Sequence, residues 1–303
     1  MTLVWTPYDA EFLGDLPPGV EHVQHVRGDL PPRADEVELW VPSYAHAPDY
    51  EAVFAQMTSL KVVQAQSAGT DAVEPFVPDG VTLCSARGVH DAATAEMAAT
   101  LVLASLRDVP RWVRQQATGT WEQEHRGPSL ADRSVLIVGH GSIGAALERR
   151  LDGFECEIVR VARRPRDGVH TMDELPDLLP AADVVVLLVP LTGSTRHLVD
   201  AGFLAGMKDG ALLVNMARGP VVDTDALLVE LGRGRLRAAL DVTDPEPLPA
   251  DHPLWSAPGV LVSPHVAGGT QAMAPRVRAL IRDQVERYVA GEELRNVVIG
   301  SST

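Results

Sequence analysis

Three short segments of this 303-residue chain end apolar runs with side chains able to hold and protonate an organic acid. They are Val214-Asn215-Met216-Ala217-Arg218-Gly219-Pro220-Val221-Val222-Asp223, Ala239-Leu240-Asp241-Val242-Thr243-Asp244-Pro245-Glu246-Pro247-Leu248 and Ser263-Pro264-His265-Val266-Ala267-Gly268-Gly269-Thr270. An arginine can grip a carboxylate through two parallel N–H bonds. A histidine can give a proton to a carbonyl oxygen, and a neighbouring carboxylate favours the charged ring that does so. Any one of these residues at a strand end is more often structural or exposed. Arg218, Glu246 and His265 together make chemical sense for a 2-oxo acid, reduced as hydride arrives at its carbonyl.

A hydride source is provided for upstream. Gly139-His140-Gly141-Ser142-Ile143-Gly144 has the spacing G-x-G-x-x-G, follows the apolar run Val135-Leu136-Ile137-Val138 and opens a helical run. Glycines alone mark ordinary turns, but this strand-to-helix context is what a dinucleotide site requires. Gly139 permits the tight turn, Gly141 lets a diphosphate approach the backbone, and Gly144 lets helix and strand pack. The free amides at the helix start, from Ser142 and Ile143 onward, and the helix dipole hold the phosphates. In NAD-binding proteins an acidic residue about 20 positions further on takes the ribose 2′-hydroxyl. Here that position falls near Ala162, followed by Arg163, Arg164, Pro165 and Arg166. Arginines there favour a 2′-phosphate, so NADP (NADPH) is the expected cofactor, with NAD still possible.

The elements that must carry these residues read as two α/β series. In the first, Leu3-Val4-Trp5, Val37 to Val41, Leu60 to Val63 and Val81-Thr82-Leu83 are strand-like, and Pro48 to Met57 has helical spacing. A long helix over about Ala92 to Gln116 follows, apolar nearly all round in its first half and kinked or divided at Pro110. The second series has strands at Val135 to Val138, Glu157 to Val161, Asp183 to Val189, Ala211 to Asn215, Ala238 to Asp241 and Val260 to Ser263. Their near-continuous apolar character fits a parallel sheet buried on both faces. A helix from Gln271 to about Val289 and a short tail close the chain. Each reactive side chain comes just after a strand, and open α/β sheets bind ligands at that carboxyl edge.

At these residues the chain resembles the D-isomer-specific 2-hydroxyacid dehydrogenase family. The match runs from the glycine turn through Pro190-Leu191-Thr192, Asn215 to Asp223, Asp241 to Leu248 and Pro264 to Thr270, with weaker matches at Ser67-Ala68-Gly69-Thr70-Asp71 and Ala95-Glu96. The resemblance implies that Arg218 orients the oxo acid, His265 transfers the proton and Glu246 pairs with His265. It also implies that Asp241 meets the nicotinamide amide, that Pro190, Thr195, Ala217 and Gly268 line the cofactor site, and that the amides of Ala68 and Gly69 take the substrate carboxylate. The implied fold is α/β: a Rossmann-type doubly wound parallel sheet plus a flavodoxin-like α/β substrate domain made from both chain ends. The expected division is residues 1–97 and 270–303 for the substrate domain and 98–269 for the nucleotide domain. The family is usually a homodimer, with the long helix near residue 100 at the interface. Two departures stand out: His140 replaces the apolar residue common inside the glycine turn, and Thr70 replaces a branched apolar residue.

Composition excludes other classes. The chain is 46% hydrophobic with a formal net charge of −15, which fits a folded domain pair and argues against nucleic acid as a partner. No apolar run approaches the roughly 20 residues that span a bilayer. Met1-Thr2-Leu3-Val4-Trp5 lacks the basic segment of a signal peptide. Cys84 and Cys156 are too few for a disulfide framework or zinc site and read as small buried hydrophobes of a cytoplasmic protein. The other nine of the ten histidines show no metal-ligand spacing, and His90 and His125 are the two that could approach the site. Tyr44, Trp121 and Trp255 read as packing residues rather than substrate contacts. The expected activity is NADPH-dependent reduction of a small 2-oxo acid such as glyoxylate or hydroxypyruvate. An NAD-dependent dehydrogenase of the phosphoglycerate type stays open, although little chain follows Val298 to form a regulatory domain. So does a non-catalytic, nucleotide-sensing protein like the corepressors of this architecture.

Overall fold

The computed structural model describes residues 1–26, 30, 33–44 and 49–300. The chain begins with β1 (Thr2–Thr6), α1 (Ala10–Leu13), β2 (Val20–Gln24), β3 (Val37–Trp40), α2 (Tyr50–Phe54), β4 (Val62–Gln64) and β5 (Thr82–Cys84). It continues through α3 (Asp91–Leu106), α4 (Val109–Thr118), β6 (Ser134–Val138), α5 (Ser142–Leu151), β7 (Glu157–Val161), α6 (Leu175–Leu178) and β8 (Val184–Leu187). The last elements are α7 (Ala201–Gly206), β9 (Leu212–Asn215), α8 (Thr224–Gly232), β10 (Arg237–Leu240), β11 (Val260–Val262), α9 (Met273–Ala290) and β12 (Val297–Ile299). Two compact units result: residues 1–90 with 271–303, and residues 91–270. All of α3 thus belongs to the second unit.

The first unit is a six-stranded sheet in the order β12-β5-β4-β3-β1-β2. β1 to β5 are parallel in the flavodoxin-like order 2-1-3-4-5, and β12 adds an antiparallel edge. Alternate strand residues feed the two faces. Leu3, Trp5, Trp40, Val63 and Leu83 pack with Val53 and Phe54, while Val4, Leu39, Val62 and Cys84 pack with Val277, Ile281 and Val285 of α9. Leu60 and Lys61 precede β4 rather than joining it. The helical spacing from Pro48 becomes α2 from Tyr50 onward, Pro48 itself lying outside the described residues.

The second unit holds a wholly parallel sheet in the order β11-β10-β9-β8-β6-β7. This is a Rossmann-type doubly wound sheet, in which the chain leaves β6 for β7 on one side and returns to β8 on the other. β8 and β9 are buried throughout, as their unbroken apolar sequences require, whereas the edge strands β7 and β11 are only partly covered. One face carries Leu136, Val138, Val185, Leu187 and Leu213 against Phe203, Leu204, Leu227 and Leu231. The other carries Val135, Ile137, Val184, Val186 and Val214 against Ala98, Leu101 and Val102 of α3 and Leu147 and Leu151 of α5.

The long helical run is divided at Pro110, as its sequence predicts: Asp108 takes a left-handed conformation (φ 53°) and Pro110 falls in the first turn of α4. Three sequence expectations are corrected. The tail contains β12, which pairs with β5. Cys84 is buried, but Cys156 lies just before β7 and is only partly covered. Trp121 is 90% exposed and Trp255 52% exposed, so neither is a packing residue of this chain, although the Trp255 indole donates to the Pro249 carbonyl at 2.8 Å.

A buried amide pair ties the C-terminal segment to the first sheet. Gln284, fully buried on α9, donates to Gln64 Oε1 at 2.7 Å and to the Arg295 carbonyl at 3.1 Å, and accepts the Arg295 amide at 2.7 Å. Gln64 in turn donates to the carbonyls of Ala65 and Ser85. Gln284→Ala strands several of these groups and is expected to destabilise the fold by about 2–4 kcal/mol, read as a lower urea midpoint. An unchanged midpoint would show that β12 is not held by this pair.

Candidate active site

The glycine turn lies between the ends of β6, β7 and β8. The Val161 carbonyl at the end of β7 accepts both the Gly139 and His140 amides at 2.9 Å, and the Leu188 amide donates to the Val138 carbonyl at 2.8 Å. Gly139 has φ +106°, and a Cβ there would fall 2.5 Å from the Leu188 carbonyl carbon. It is therefore required for close approach to the chain leaving β8 as well as for the turn. A Cβ on Gly144 would meet the Gly139 oxygen at 2.8 Å, which is the helix–strand closeness the spacing predicts. A Cβ on Gly141 would meet nothing within 4 Å. Open space thus fronts the one glycine expected to face a diphosphate, and α5 begins there with Ser142 and Ile143, whose amides lie in the first turn without intrahelical acceptors. The turn fits a dinucleotide phosphate.

The chain after β7 bends back on itself. Ala162 donates to the His170 carbonyl at 3.0 Å, and His170 donates to the Arg160 carbonyl at 2.8 Å. Arg163 and Arg164 are exposed on this bend, with no ion-pair partner among the described residues. Arg166 reaches the glycine turn, where its Nη2 donates to the His140 carbonyl and to His140 Nδ1. Because an arginine only donates, Nδ1 is the acceptor and Nε2 carries the proton donated to Glu148 Oε2 at 2.6 Å. The other Glu148 oxygen accepts from Arg160. Sequence reasoning singled out His140 as a departure but did not connect it to Glu148 or Arg166, since the pairing depends on a helix face and a bend that no local spacing encodes.

Arg218 follows β9. Buried Asn215 braces the loop by accepting the Ala217 amide and donating to the Arg218 carbonyl, both at 3.0 Å. The Arg218 backbone is extended, its Nη1 donates to the Ala217 carbonyl at 2.9 Å, and Asp223 caps α8 directly beyond. A Cβ on Gly219 would lie 1.8 Å from the Thr243 carbonyl oxygen, so only glycine allows this loop to press on the one after β10. That second loop is fastened by Thr243 Oγ1 to the Pro245 carbonyl (2.8 Å) and by Thr224 Oγ1 to the Asp244 carbonyl (3.0 Å). It carries Glu246.

Asp241 joins β10 to the loop after β11. Its carboxylate, 3% exposed, accepts Ser263 Oγ at 2.6 Å and the amides of Val266 and Ala267, each at 3.1 Å. Its own carbonyl accepts the His265 amide at 2.7 Å. His265 is thereby held at φ 51°, a left-handed conformation uncommon outside glycine. Its Nδ1 meets Glu246 Oε1 at 2.5 Å. A carboxylate only accepts, so Nδ1 carries the proton and Nε2 is the nitrogen left for a reacting group. The three loops thus bring Glu246 to His265 and lock the Arg218 loop against the Glu246 loop.

The remaining expected positions fall as follows. Pro190 is exposed after β8, and its carbonyl accepts Thr195 Oγ1 at 2.7 Å. Ala217 is buried, and Gly268 follows the Asp241-bound amides. In the first unit, Ser67 Oγ donates to the Gly69 carbonyl at 2.5 Å, shaping a bend at Ala68 and Gly69 whose amides have no acceptor among the described residues. His90 Nε2 donates to the Gln66 carbonyl at 2.6 Å and its ring stacks on Tyr44. His125 is occupied at the α3–α4 break, bound to Asp108 at 2.5 Å and Arg111 at 2.9 Å.

The glycine-turn cluster has a pH signature. Hydrogen bonds from Arg160, reinforced by His140, hold the Glu148 carboxyl down from 4.5 to about 2 against the opposing effect of partial burial. A carboxyl depressed in the folded state stabilises above its unfolded pKa and loses that effect as pH falls toward its folded value. The stability gap between wild type and Glu148→Gln is expected to be full at pH 7, to shrink below about 4.5 and to vanish near 2. Urea unfolding at stepped pH measures it, and a gap that does not change with pH would count against the pairing.

A family model described as D-isomer specific 2-hydroxyacid dehydrogenase, NAD binding domain, matches residues 99–267. A glyoxylate reductase of Thermofilum pendens is 35% identical over 250 residues, covering 77% of this chain and 73% of the relative. Glyoxylate/hydroxypyruvate reductase B of Citrobacter koseri is 34% identical over 260 residues, covering 82% and 80%. A D-isomer specific 2-hydroxyacid dehydrogenase of Xanthobacter autotrophicus Py2, solved in complex with NADPH and MES, superposes with a TM-score of 0.81 at 32% identity, covering 98% of each chain. The chain belongs to the D-isomer specific 2-hydroxyacid dehydrogenase family, NAD(P)H-linked oxidoreductases of 2-oxo and 2-hydroxy acids, and within it is similar to glyoxylate and hydroxypyruvate reductases.

Proposed function

We propose that this chain reduces a small 2-oxo acid, glyoxylate or hydroxypyruvate, with NADPH, using His265 as the proton donor. The observation that carries the reading is the 2.5 Å contact of His265 Nδ1 with Glu246, in the same unit as the glycine turn. The cofactor would be held by Gly139, Gly141, Ser142, Ile143 and Gly144 at its phosphates and by Arg163 and Arg164 at its 2′-phosphate. Pro190, Thr195, Ala217, Asp241 and Gly268 would form the nicotinamide side. Asp241 has three donors on a group with about four acceptor sites, which leaves one for an amide N–H. A bound nicotinamide supplies a hydride to the substrate's carbonyl carbon. Arg218 binds the substrate carboxylate and draws electron density from the carbonyl. His265, charged and steadied by Glu246, gives the Nε2 proton to the carbonyl oxygen, completing the hydroxyl, and is reprotonated from solvent.

The preference for NADPH is supported by the arginines where a 2′-hydroxyl-binding carboxylate would stand, and by the relative solved with NADPH. The exposed apolar side chains Val109, Trp112, Val113 and Trp121, on and beside α4, support a second copy of the chain as partner. Among the described residues no helix is long and apolar enough to cross a membrane.

His265→Ala is expected to lower kcat about 10²–10⁴-fold with glyoxylate while NADPH binding persists, because proton transfer alone is removed. Near-normal turnover would reject the assignment. With a panel of 2-oxo acids, kcat/KM for NADPH is expected to exceed that for NADH by about tenfold or more, the value of one charge-assisted contact. A tenfold preference for NADH would reverse the cofactor reading, and tight NADPH binding without turnover on any 2-oxo acid would point to a nucleotide sensor.

A further inference from the structure

We infer that Arg166, anchored on the glycine turn by His140, is the principal selector of the adenosine 2′-phosphate, with His140 as its positioning residue. The inference deepens the NADPH reading above and rests on it. Three arginines occupy the bend after β7, but they are not equivalent. Arg163 and Arg164 have no anchoring contact among the described residues, and ordering either on a ligand costs side-chain entropy at the moment of binding. Arg166 is already ordered: its Nη2 is shared between the carbonyl and the ring of His140.

Those contacts use one nitrogen of the guanidinium. Nε and Nη1 have no partner among the described residues, so N–H donors on two nitrogens and the full positive charge are still available to a phosphate. The position is suitable as well. The Val161 carbonyl holds the amides of Gly139 and His140, which sets the glycine turn against the end of β7 where an adenosine ribose is read. The cross-strand bonds of Ala162 and His170 close the bend, and Arg166 crosses it to the turn.

The role of His140 follows from its tautomer. An apolar side chain at this position would leave Arg166 only the backbone carbonyl as acceptor. His140 adds its ring, because Glu148 takes the Nε2 proton and leaves Nδ1 as a lone pair facing the guanidinium. Arg160 fixes Glu148 from the other side. The series Arg160, Glu148, His140 and Arg166 therefore ties β7 and α5 to the cation that meets the phosphate.

Calorimetric titration of the full chain with 2′,5′-ADP and with 5′-AMP tests this without turnover. Wild type is expected to favour 2′,5′-ADP. Arg166→Gln is expected to weaken 2′,5′-ADP by about tenfold or more and 5′-AMP by less than about twofold, as loss of a charged hydrogen-bond donor requires. His140→Leu is expected to show the same selective loss at about three- to fivefold, and Arg163→Gln and Arg164→Gln less than Arg166→Gln. Arg166→Lys, which keeps the charge but loses the guanidinium's separate donors and its anchor on His140, is expected to fall between wild type and Arg166→Gln. An unchanged probe ratio in Arg166→Gln, or an equal loss of both probes, overturns the inference and leaves the NADPH reading standing. A wild type that does not favour 2′,5′-ADP overturns both.

Discussion

The buried carboxylate of Asp241 is the constraint from which the geometry of the site follows. Removing a carboxylate from water is costly unless donors replace the lost solvation. Here a hydroxyl and two amides do so, all of them from the loop after β11. The loop cannot leave without stranding a buried charge. Its backbone also bonds to the Asp241 carbonyl, and His265 is held in a conformation it would not adopt by preference. A weakly favoured backbone at a reactive residue persists when its surroundings over-determine it. The hydrogen bond to Glu246, on the loop after β10, then sets the ring's tautomer, so Asp241 fixes the backbone and Glu246 the proton.

The sheet beneath makes that arrangement possible. In the second unit every strand is parallel, so the loops after β6, β8, β9, β10 and β11 share one edge. The strand order reverses between β6 and β8, which separates the loops that follow them and leaves room for a ligand. The glycine turn occupies the first of these positions and Pro190 follows the second. Arginine, carboxylate and histidine come from the next three strands in order. The unit that carries β1 to β5 repeats the same winding, and its Ala68–Gly69 bend follows β4 at the equivalent carboxyl edge.

Where strands are buried on both faces, their sequences announce them, and β6, β8 and β9 were legible for that reason. β2, Val-Glu-His-Val-Gln, is half exposed at an edge and lacks any apolar run. β12 exists through its pairing with β5, a contact about two hundred residues distant in sequence that no window can register. α1 and α6 have four residues each, too few for a helical period to show. The glycine turn and the triplet proposed for the chemistry, Arg218, Glu246 and His265, stand out in sequence because such chemistry demands particular residues at particular offsets. The supports around them do not: Asn215, Ser263 and Thr243 are ordinary polar residues until the fold aims them. Trp121 misled for a related reason, since a large aromatic side chain carries no mark that distinguishes an interior position from a surface one.

The contact of Gly219 with the Thr243 carbonyl has a bearing on engineering. Two loops packed so closely that no Cβ fits between them share one shape, and neither can be lengthened or re-sequenced alone without opening a gap or a clash. Anyone redesigning either loop would have to exchange residues 216–223 and 242–248 as a single cassette, with the His265 loop left on its Asp241 anchor.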